Sequence, residues 1–258
     1  MKSEHKEEMK ARKRNIALKV AYDGTAYHGF QRQSPPVVAV QNVLEKKLAI
    51  IFGDTIELAA SGRTDAGVHA YGQVVNFFTN GSIPIDRVPM AVNSLLPDDI
   101  VVKEAWEADE DFSARHSAKA KTYIYRIQQG KTPNPLTARY AWYERRKLDM
   151  SKMKATLDLI KGTHDFSAFR AAGGAPMSPV RTIYEAKVEE RPGDMLEFTI
   201  YGNGFLYHMV RNIIGTVANV GLGRISVERF VEIMESLDRH QASATAPACG
   251  LYLYSVEY

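Results

Sequence analysis

Two β-patterned segments, Thr55 to Ala60 and Gln73 to Phe78, flank a run that no ordinary turn explains. That run is Gly62-Arg63-Thr64-Asp65-Ala66-Gly67-Val68-His69-Ala70. A plain hairpin closes with about two to five turn residues, typically of Asn-Gly character. Here the run itself is nine residues long, and it includes a guanidinium, a carboxylate and an imidazole. Gly62 and Gly67 permit positive φ and close approach of a second backbone. The chain is thereby constrained to a β framework with a chemically equipped loop between two strands. The plainest role for Asp65 is a cap or a surface partner of Arg63; the wording of the whole run favours a site.

Periodicity supplies the rest of the frame. Residues 14–23 alternate, with Ile16, Leu18, Val20 and Tyr22 on one face of a strand. Val40, Val43, Leu44, Leu48 and Ile51 lie near helical spacing within Val37 to Phe52. A helix is expected after Pro84, to about Leu95, then a strand from Val101 to Trp106. The first half reads β-α-β-β-α-β. In the second half, Ala120 to Gln128 is a strand with Tyr123 and Tyr125 on one face, and Tyr140 to Arg145 is its candidate partner. Met150 to Ile160 is helical. Tyr184 to Glu190 and Leu196 to Tyr201 form a hairpin across Arg191-Pro192-Gly193-Asp194. Tyr207 to Val220 is a helix with a stripe of Met209, Ile213, Val217 and Val220. A short helix at Val227 to Leu237 and a strand at Leu251 to Val256 end the chain. The 258 residues suffice for one large domain or two ordinary ones. The expected division is a charged tail over 1–14, an α+β domain over 15–112 carrying the Asp loop, and a second α+β domain over 113–258.

Composition narrows the class. A single cysteine, Cys249, excludes an internal disulfide and a Cys-rich metal site, and fits a reducing cytoplasm. No apolar run approaches the roughly 18 residues of a membrane span. The first 14 residues carry six Lys or Arg and three Glu, which reads as a solvated tail rather than a signal peptide. The seven histidines include no H-E-x-x-H pair, so no metal site is expected. Gly202-Asn203-Gly204 lacks the third glycine of a dinucleotide fingerprint, and no phosphate-binding G-x-x-x-x-G-K-[ST] loop occurs. No cofactor is expected. Net charge is only +3, but its distribution is uneven. Seven acids and one base lie between Pro97 and Asp111; eleven bases and two acids lie between Phe112 and Lys154. Tyr123, Tyr125, Tyr140, Trp142 and Tyr143 interleave with those bases, a composition suited to phosphate contacts and base stacking, or to a solvated sheet face with core tyrosines.

The run from Gly62 to Ala70 resembles the signature of the TruA family of tRNA pseudouridine synthases. The resemblance extends to Asp23-Gly24-Thr25-Ala26-Tyr27-His28-Gly29-Phe30-Gln31-Arg32-Gln33, with Phe30 where Trp is commoner. It includes Phe112-Ser113-Ala114-Arg115 through Lys121-Thr122-Tyr123-Ile124-Tyr125, with Ser113 where His is frequent. It continues through Gly162 to Phe169, Gly202 to Asn212 and Ala246 to Leu251, in family order. It implies two similar ferredoxin- or RRM-like halves whose mainly antiparallel sheets join across a central RNA-binding cleft. It implies isomerisation of uridines 38, 39 and 40 in the anticodon arm of tRNA, with Asp65 catalytic, and a homodimer. A stacked target uridine must be flipped out for this chemistry.

The reaction breaks a uridine's N1–C1′ bond and rejoins the ribose through C5, so nothing is oxidised and no cofactor is required. One carboxylate serves, as nucleophile or as base. It must stay ionised although water is excluded; burial raises an Asp pKa and a guanidinium lowers it. Arg63 and Arg211 are the available cations. By resemblance Arg211 is the partner of Asp65, the alternatives being a phosphate contact or a helix-end charge. Arg63 is assigned to the RNA, filling the space left by the flipped base. Tyr123 matches the family's substrate-contact tyrosine, able to stack on uracil and to support proton removal from C5; its alternative is a core strand tyrosine. Leu251 forms an apolar wall by resemblance, or packs in the core. The rival function is a catalytically silent RNA-binding protein on the same fold.

Overall fold

The alternation at the start of the chain is realised as β1 (Arg14–Tyr22), whose Ile16, Leu18, Val20 and Tyr22 are all buried. The structure, a computed structural model, describes residues 12–174 and 177–258. Residues 1–11 of the expected tail lie outside the described residues. Arg12 does not behave as tail: its Nη1 donates to the Thr55 carbonyl at 2.7 Å.

The fold divides into two compact units: the described residues up to Ala118 together with Leu253–Tyr258, and Lys119–Tyr252. The boundary expected from the sequence falls between 112 and 113, with the whole C-terminus in the second half. The last residues instead return to the first unit, because Tyr258 packs its ring 4.9 Å from that of Phe112 and donates to the Ala114 carbonyl at 2.9 Å.

In the first unit β1 is followed by α1 (Val40–Phe52), β2 (Ala59–Ala60), β3 (His69–Thr79), a 3-10 turn at Ile85–Arg87, α2 (Val88–Asn93) and β4 (Ile100–Ala108). β1 pairs antiparallel with both β3 and β4, and β2 pairs antiparallel with β3. The order is therefore β4-β1-β3-β2. Leu44 and Leu48 of α1 and Val88 and Val92 of α2 are buried with Val75 and Phe77 of β3. The expected strand at 55–60 shrinks to two residues for an identifiable reason. Glu45 of α1 accepts from the Leu58 N–H at 3.0 Å, and Gln41 donates to the Leu58 carbonyl at 3.4 Å. Helix side chains thus satisfy backbone groups that a ladder would otherwise have taken. Conversely, β3 starts at His69, so the last residues of the loop motif belong to a strand.

The second unit contains β5 (Ala120–Gln129), β6 (Trp142–Glu144), α3 (Met150–Leu159), β7 (Gly162–Asp165), a 3-10 turn at Ser167–Phe169, β8 (Val180–Arg191), β9 (Met195–Gly202), α4 (Met209–Gly221) and α5 (Val227–Ser236). β5 pairs with β9, β9 with β8 and β8 with β7, all antiparallel. β6 joins β5 in parallel, Trp142 opposite Ile127. A final strand, β10 (Leu251–Glu257), begins in this unit and ends in the first. The hairpin between β8 and β9 turns where expected, with Gly193 at φ 80°. The stripe of Met209, Ile213, Val217 and Val220 on α4 is buried, and Phe169 stacks on Phe230 of α5 at 5.6 Å. β7 is not among the strands expected from the sequence. Among the described residues no helix is long and apolar enough to cross a membrane.

Candidate functional site

Asp65 opens a tight turn in the first unit. The Val68 N–H donates to the Asp65 carbonyl at 3.1 Å, and Gly67, at φ 77°, takes the position where a type II turn requires positive φ. Gly62 does not adopt positive φ; of the two glycines singled out in the motif, only Gly67 uses that freedom.

The turn is braced from several directions. Alternation along β1 delivers Tyr22 at its end, and the Tyr22 hydroxyl lies 2.8 Å from the buried Thr64 hydroxyl. Burial pushes that phenol's pKa up, so it is a neutral hydrogen-bonding group at physiological pH. The Phe30 N–H donates to the Thr64 carbonyl at 3.0 Å, and the Gly67 N–H to the Tyr27 carbonyl at 3.3 Å. A Cβ on Gly24 would stand 2.0 Å from the Val68 carbonyl oxygen, and one on Gly29 would stand 2.7 Å from that of Thr64. The loop at 23–30 and the loop at 64–68 therefore touch backbone to backbone. Gln73 fixes the entry: its Nε2 donates to the Gly62 carbonyl at 2.8 Å and its Oε1 accepts from Ser61 at 2.6 Å. His69 is buried, and its Nδ1 accepts from the Gly24 N–H at 3.1 Å, with Asp23 Oδ1 also 3.1 Å away. One nitrogen cannot accept from Gly24 and donate to Asp23 at once; a bare Nδ1 makes the first contact and an Nδ1–H the second. On this scaffold the Asp65 side chain is half-buried and Arg63 is exposed.

The other expected residues lie on the second unit. Tyr123, on β5 opposite Ile200, is buried and meets Phe205 edge-on, 4.9 Å between ring centres. Tyr125, two residues on, is a core residue whose hydroxyl donates to the Pro247 carbonyl at 2.7 Å; burial pushes its pKa well up. Arg211 occupies the first turn of α4. Its Nε donates to the Ala246 carbonyl at 2.8 Å, and the Ala246 N–H donates back to the Arg211 carbonyl at 3.1 Å. Leu251 is buried at the start of β10, after a 3-10 turn at Ala248–Gly250. A Cβ on Gly250 would fall 2.7 Å from both the Arg126 carbonyl oxygen and the Tyr125 ring, so that turn lies directly on β5. Cys249 is half-buried and donates to the Ala141 carbonyl at 3.6 Å; burial raises its thiol pKa, which suits an inert side chain.

Sequence reasoning missed the residues that hold this segment. Asn212 is fully buried. Its Nδ2 donates to the Phe169 carbonyl at 2.8 Å, while its Oδ1 accepts from Thr245 at 2.7 Å and Arg239 at 3.0 Å. Gly215 lets the chain cross α4, since a Cβ there would stand 2.1 Å from the Ala244 carbonyl oxygen. The signal that could have found it is a glycine inside a helical pattern, which marks a packing reason.

The basic stretch is divided in its use. Arg126 pairs with Glu197 at 3.0 Å and lies 4.8 Å over the Tyr252 ring; Arg146 pairs with Glu144 at 2.9 Å. Arg115, Lys119, Lys131, Arg145, Lys147 and Lys154 are exposed. Among the described residues no group of three or more His, Cys, Asp or Glu could hold a metal ion.

The family model for tRNA pseudouridine synthase matches residues 18–117 and 157–258, which include Asp65, Arg211 and Leu251 but not Tyr123. The chain belongs to the tRNA pseudouridine synthase family, a class of isomerases that act on tRNA. It is similar to the tRNA pseudouridine synthase A of Acetivibrio thermocellus, 45% identical over 245 residues that cover 95% of this chain and 100% of that protein. It is likewise similar to the tRNA pseudouridine synthase A of Lacticaseibacillus casei, 46% identical over 241 residues, or 93% of this chain and 97% of that one. Among solved structures, a chain of a Cbf5-Nop10-Gar1 complex is 14% identical with a TM-score of 0.38, covering 82% of this chain and 55% of the other.

Proposed function

We propose that this protein converts uridines 38, 39 and 40 in the anticodon arm of tRNA to pseudouridine, with Asp65 as the catalytic carboxylate. The observation that carries the reading is the turn at Asp65. Phe30 and Tyr27 bond its backbone, Tyr22 meets the Thr64 hydroxyl and Gln73 holds the Gly62 carbonyl, while the Asp65 side chain is left partly accessible. Such preorganisation is what a reaction needs when one group must meet one atom. In the reaction the N1–C1′ bond breaks, the uracil turns, C5 bonds to C1′ and the C5 proton is lost while N1 regains one. Asp65 acts as nucleophile or base. Tyr123 stacks on the uracil and supports removal of the C5 proton. Arg211 keeps the carboxylate ionised, Arg63 fills the space left by the flipped base, and Leu251 forms an apolar wall. The roles of Tyr123, Arg211 and Leu251 rest on the resemblance of their motifs to the family's; the family match spans Arg211 and Leu251 but not Tyr123.

The β-α-β-β-α-β order and β4-β1-β3-β2 pairing support a ferredoxin-like first half, with a related second half. The protein works as a homodimer in the cytoplasm on this reading. Asp65→Asn tests it. The amide keeps the shape of the carboxylate but cannot serve as nucleophile or base. Turnover is expected to vanish while tRNA binding survives, since phosphate contacts supply most affinity. Pseudouridine formation by the variant within about tenfold of wild type overturns the assignment. A wild type that binds tRNA without forming pseudouridine points to the silent RNA-binding rival.

A further inference from the structure

Two guanidiniums converge in the second unit. Arg170 follows the 3-10 turn at Ser167–Phe169, and Arg181 is the second residue of β8. Both reach Met177: Arg170 Nη1 donates to its carbonyl at 3.4 Å, and Arg181 Nη2 lies 3.2 Å from its sulfur. Arg181 Nη1 also donates to the carbonyls of Ser178 at 2.7 Å and Val180 at 2.6 Å. Its fork is thus held in place by backbone oxygens, and no carboxylate pairs with Arg181 among the described residues. Burial first, then the charge of Arg170, lowers the pKa of Arg181, yet a guanidinium remains charged at neutral pH.

The surroundings leave Arg181 partly accessible. Gly204 sits against Arg181; a Cβ there would stand 3.4 Å from Nε, so glycine leaves that edge of the fork uncovered. A Cβ on Gly174 would fall 3.0 Å from Tyr207 Cβ and 3.9 Å from Arg170 Nε, which puts Tyr207 beside Arg170. Tyr207 is 43% exposed, and its ring lies 4.0 Å from that of His208. The patch therefore offers two cations on fixed backbone and an exposed aromatic face. An anion placed between two guanidiniums is attracted by both. A guanidinium fork matches phosphate oxygens in pairs, and an adjacent aromatic ring suits a sugar or a base.

We propose that Arg170 and Arg181 seat one phosphodiester of the RNA backbone, with Tyr207 against the neighbouring nucleotide. The proposal rests on the tRNA reading above and adds a binding site to it. The test is the salt dependence of affinity for unmodified tRNA, from about 50 to about 200 mM salt, measured by fluorescence anisotropy. The proteins are wild type, Arg170→Gln, Arg181→Gln, Arg181→Lys and the double Gln variant, each checked for folding by circular dichroism. Losing one neutralised phosphate flattens the slope of log K against log salt by about 0.7 to 0.9. Over that fourfold range the double Gln variant is then expected to lose about threefold less affinity than wild type. Arg181→Lys keeps the charge and is expected to keep a slope near wild type. A folded double variant with the wild-type slope overturns the seat, as does Arg181→Lys with a slope as flat as that of Arg181→Gln. If Arg181→Gln does not fold, Arg170→Gln decides: a flatter slope supports the seat and an unchanged one overturns it. The two readings fail separately. Wild type that forms no pseudouridine overturns the reaction, whereas the slope reads the seat alone; wild type that does not bind tRNA overturns both.

Discussion

Replacing Gly29 with alanine probes whether the turn at Asp65 is held by its neighbours or stands alone. Gly29 has φ 84°, where a side chain costs about 1 to 2 kcal/mol. The added methyl would lie 2.7 Å from the Thr64 carbonyl oxygen and 3.2 Å from the Asp65 carbonyl carbon. Forcing atoms into a packed site costs about 1 to 3 kcal/mol. Relief by moving the loop would lengthen the 3.0 Å bond from Phe30 N–H to Thr64, worth about 0.5 to 1.5 kcal/mol. The chain takes the cheapest combination, so the total is about 2 to 4 kcal/mol. Gly53→Ala is the control, because Gly53 has φ 69° but nothing within 4 Å of its would-be Cβ. It incurs only the backbone cost of about 1 kcal/mol. Urea unfolding gives the stabilities, and, on the proposed role of Asp65, single-turnover pseudouridine formation reads its position. Gly29→Ala is expected to be less stable than Gly53→Ala by at least about 1 kcal/mol, and slower by about tenfold to a hundredfold, since small misplacement of a reacting group is expensive. Equal stabilities together with a wild-type rate in Gly29→Ala would refute the argument that the two loops brace one another.

Two further outcomes are expected. Tyr123→Phe keeps the ring and loses the hydroxyl, so single-turnover rates fall by ~10² to 10⁴ with little change in tRNA binding if the hydroxyl assists proton transfer; equal rates reduce Tyr123 to a stacking residue. Asp54 accepts from the Thr79 hydroxyl at 2.6 Å and the Asn80 N–H at 2.9 Å, and these bonds lower its pKa. A depressed carboxylate pKa stabilises the fold above the unfolded value of about 4 and ceases to do so as pH falls through the folded value. The stability gap between wild type and Asp54→Asn is therefore expected to be constant from about pH 5 to 7 and to close on acidification below about pH 4. Urea titrations across that range in which the gap widened at low pH would contradict it.

Much of the frame is legible along the chain itself, wherever a segment's own spacing reports what it buries. The stripe of Met209, Ile213, Val217 and Val220 needs only helical period, and the alternation of Ile16, Leu18, Val20 and Tyr22 needs only strand period; both sets are buried. The hairpin at 191–194 needs only Pro and Gly in order. The loop motif singles out Asp65 by its resemblance to the family signature, and the family match covers that run.

What the tertiary structure decided is who touches whom. Residues 55–58 have strand composition, yet Gln41 and Glu45 of α1 take the backbone groups of Leu58, leaving β2 two residues long. Tyr22 looks like one more alternating core residue, but its hydroxyl reaches Thr64, 42 residues on. Tyr125 reaches Pro247 across 122 residues, and Tyr258 returns the C-terminus to Phe112 and Ala114. Gly29 carries its meaning only where Thr64 lies against it, and Asn212 only where Thr245 and Arg239 meet its amide. Periodicity is set by residues a few positions apart and can be read along the chain. Hydrogen bonds and close backbone approaches between distant segments depend on where folding brings them together, and the contacts of Tyr22 and Gly29 with Thr64 are of this kind in the loop bearing Asp65.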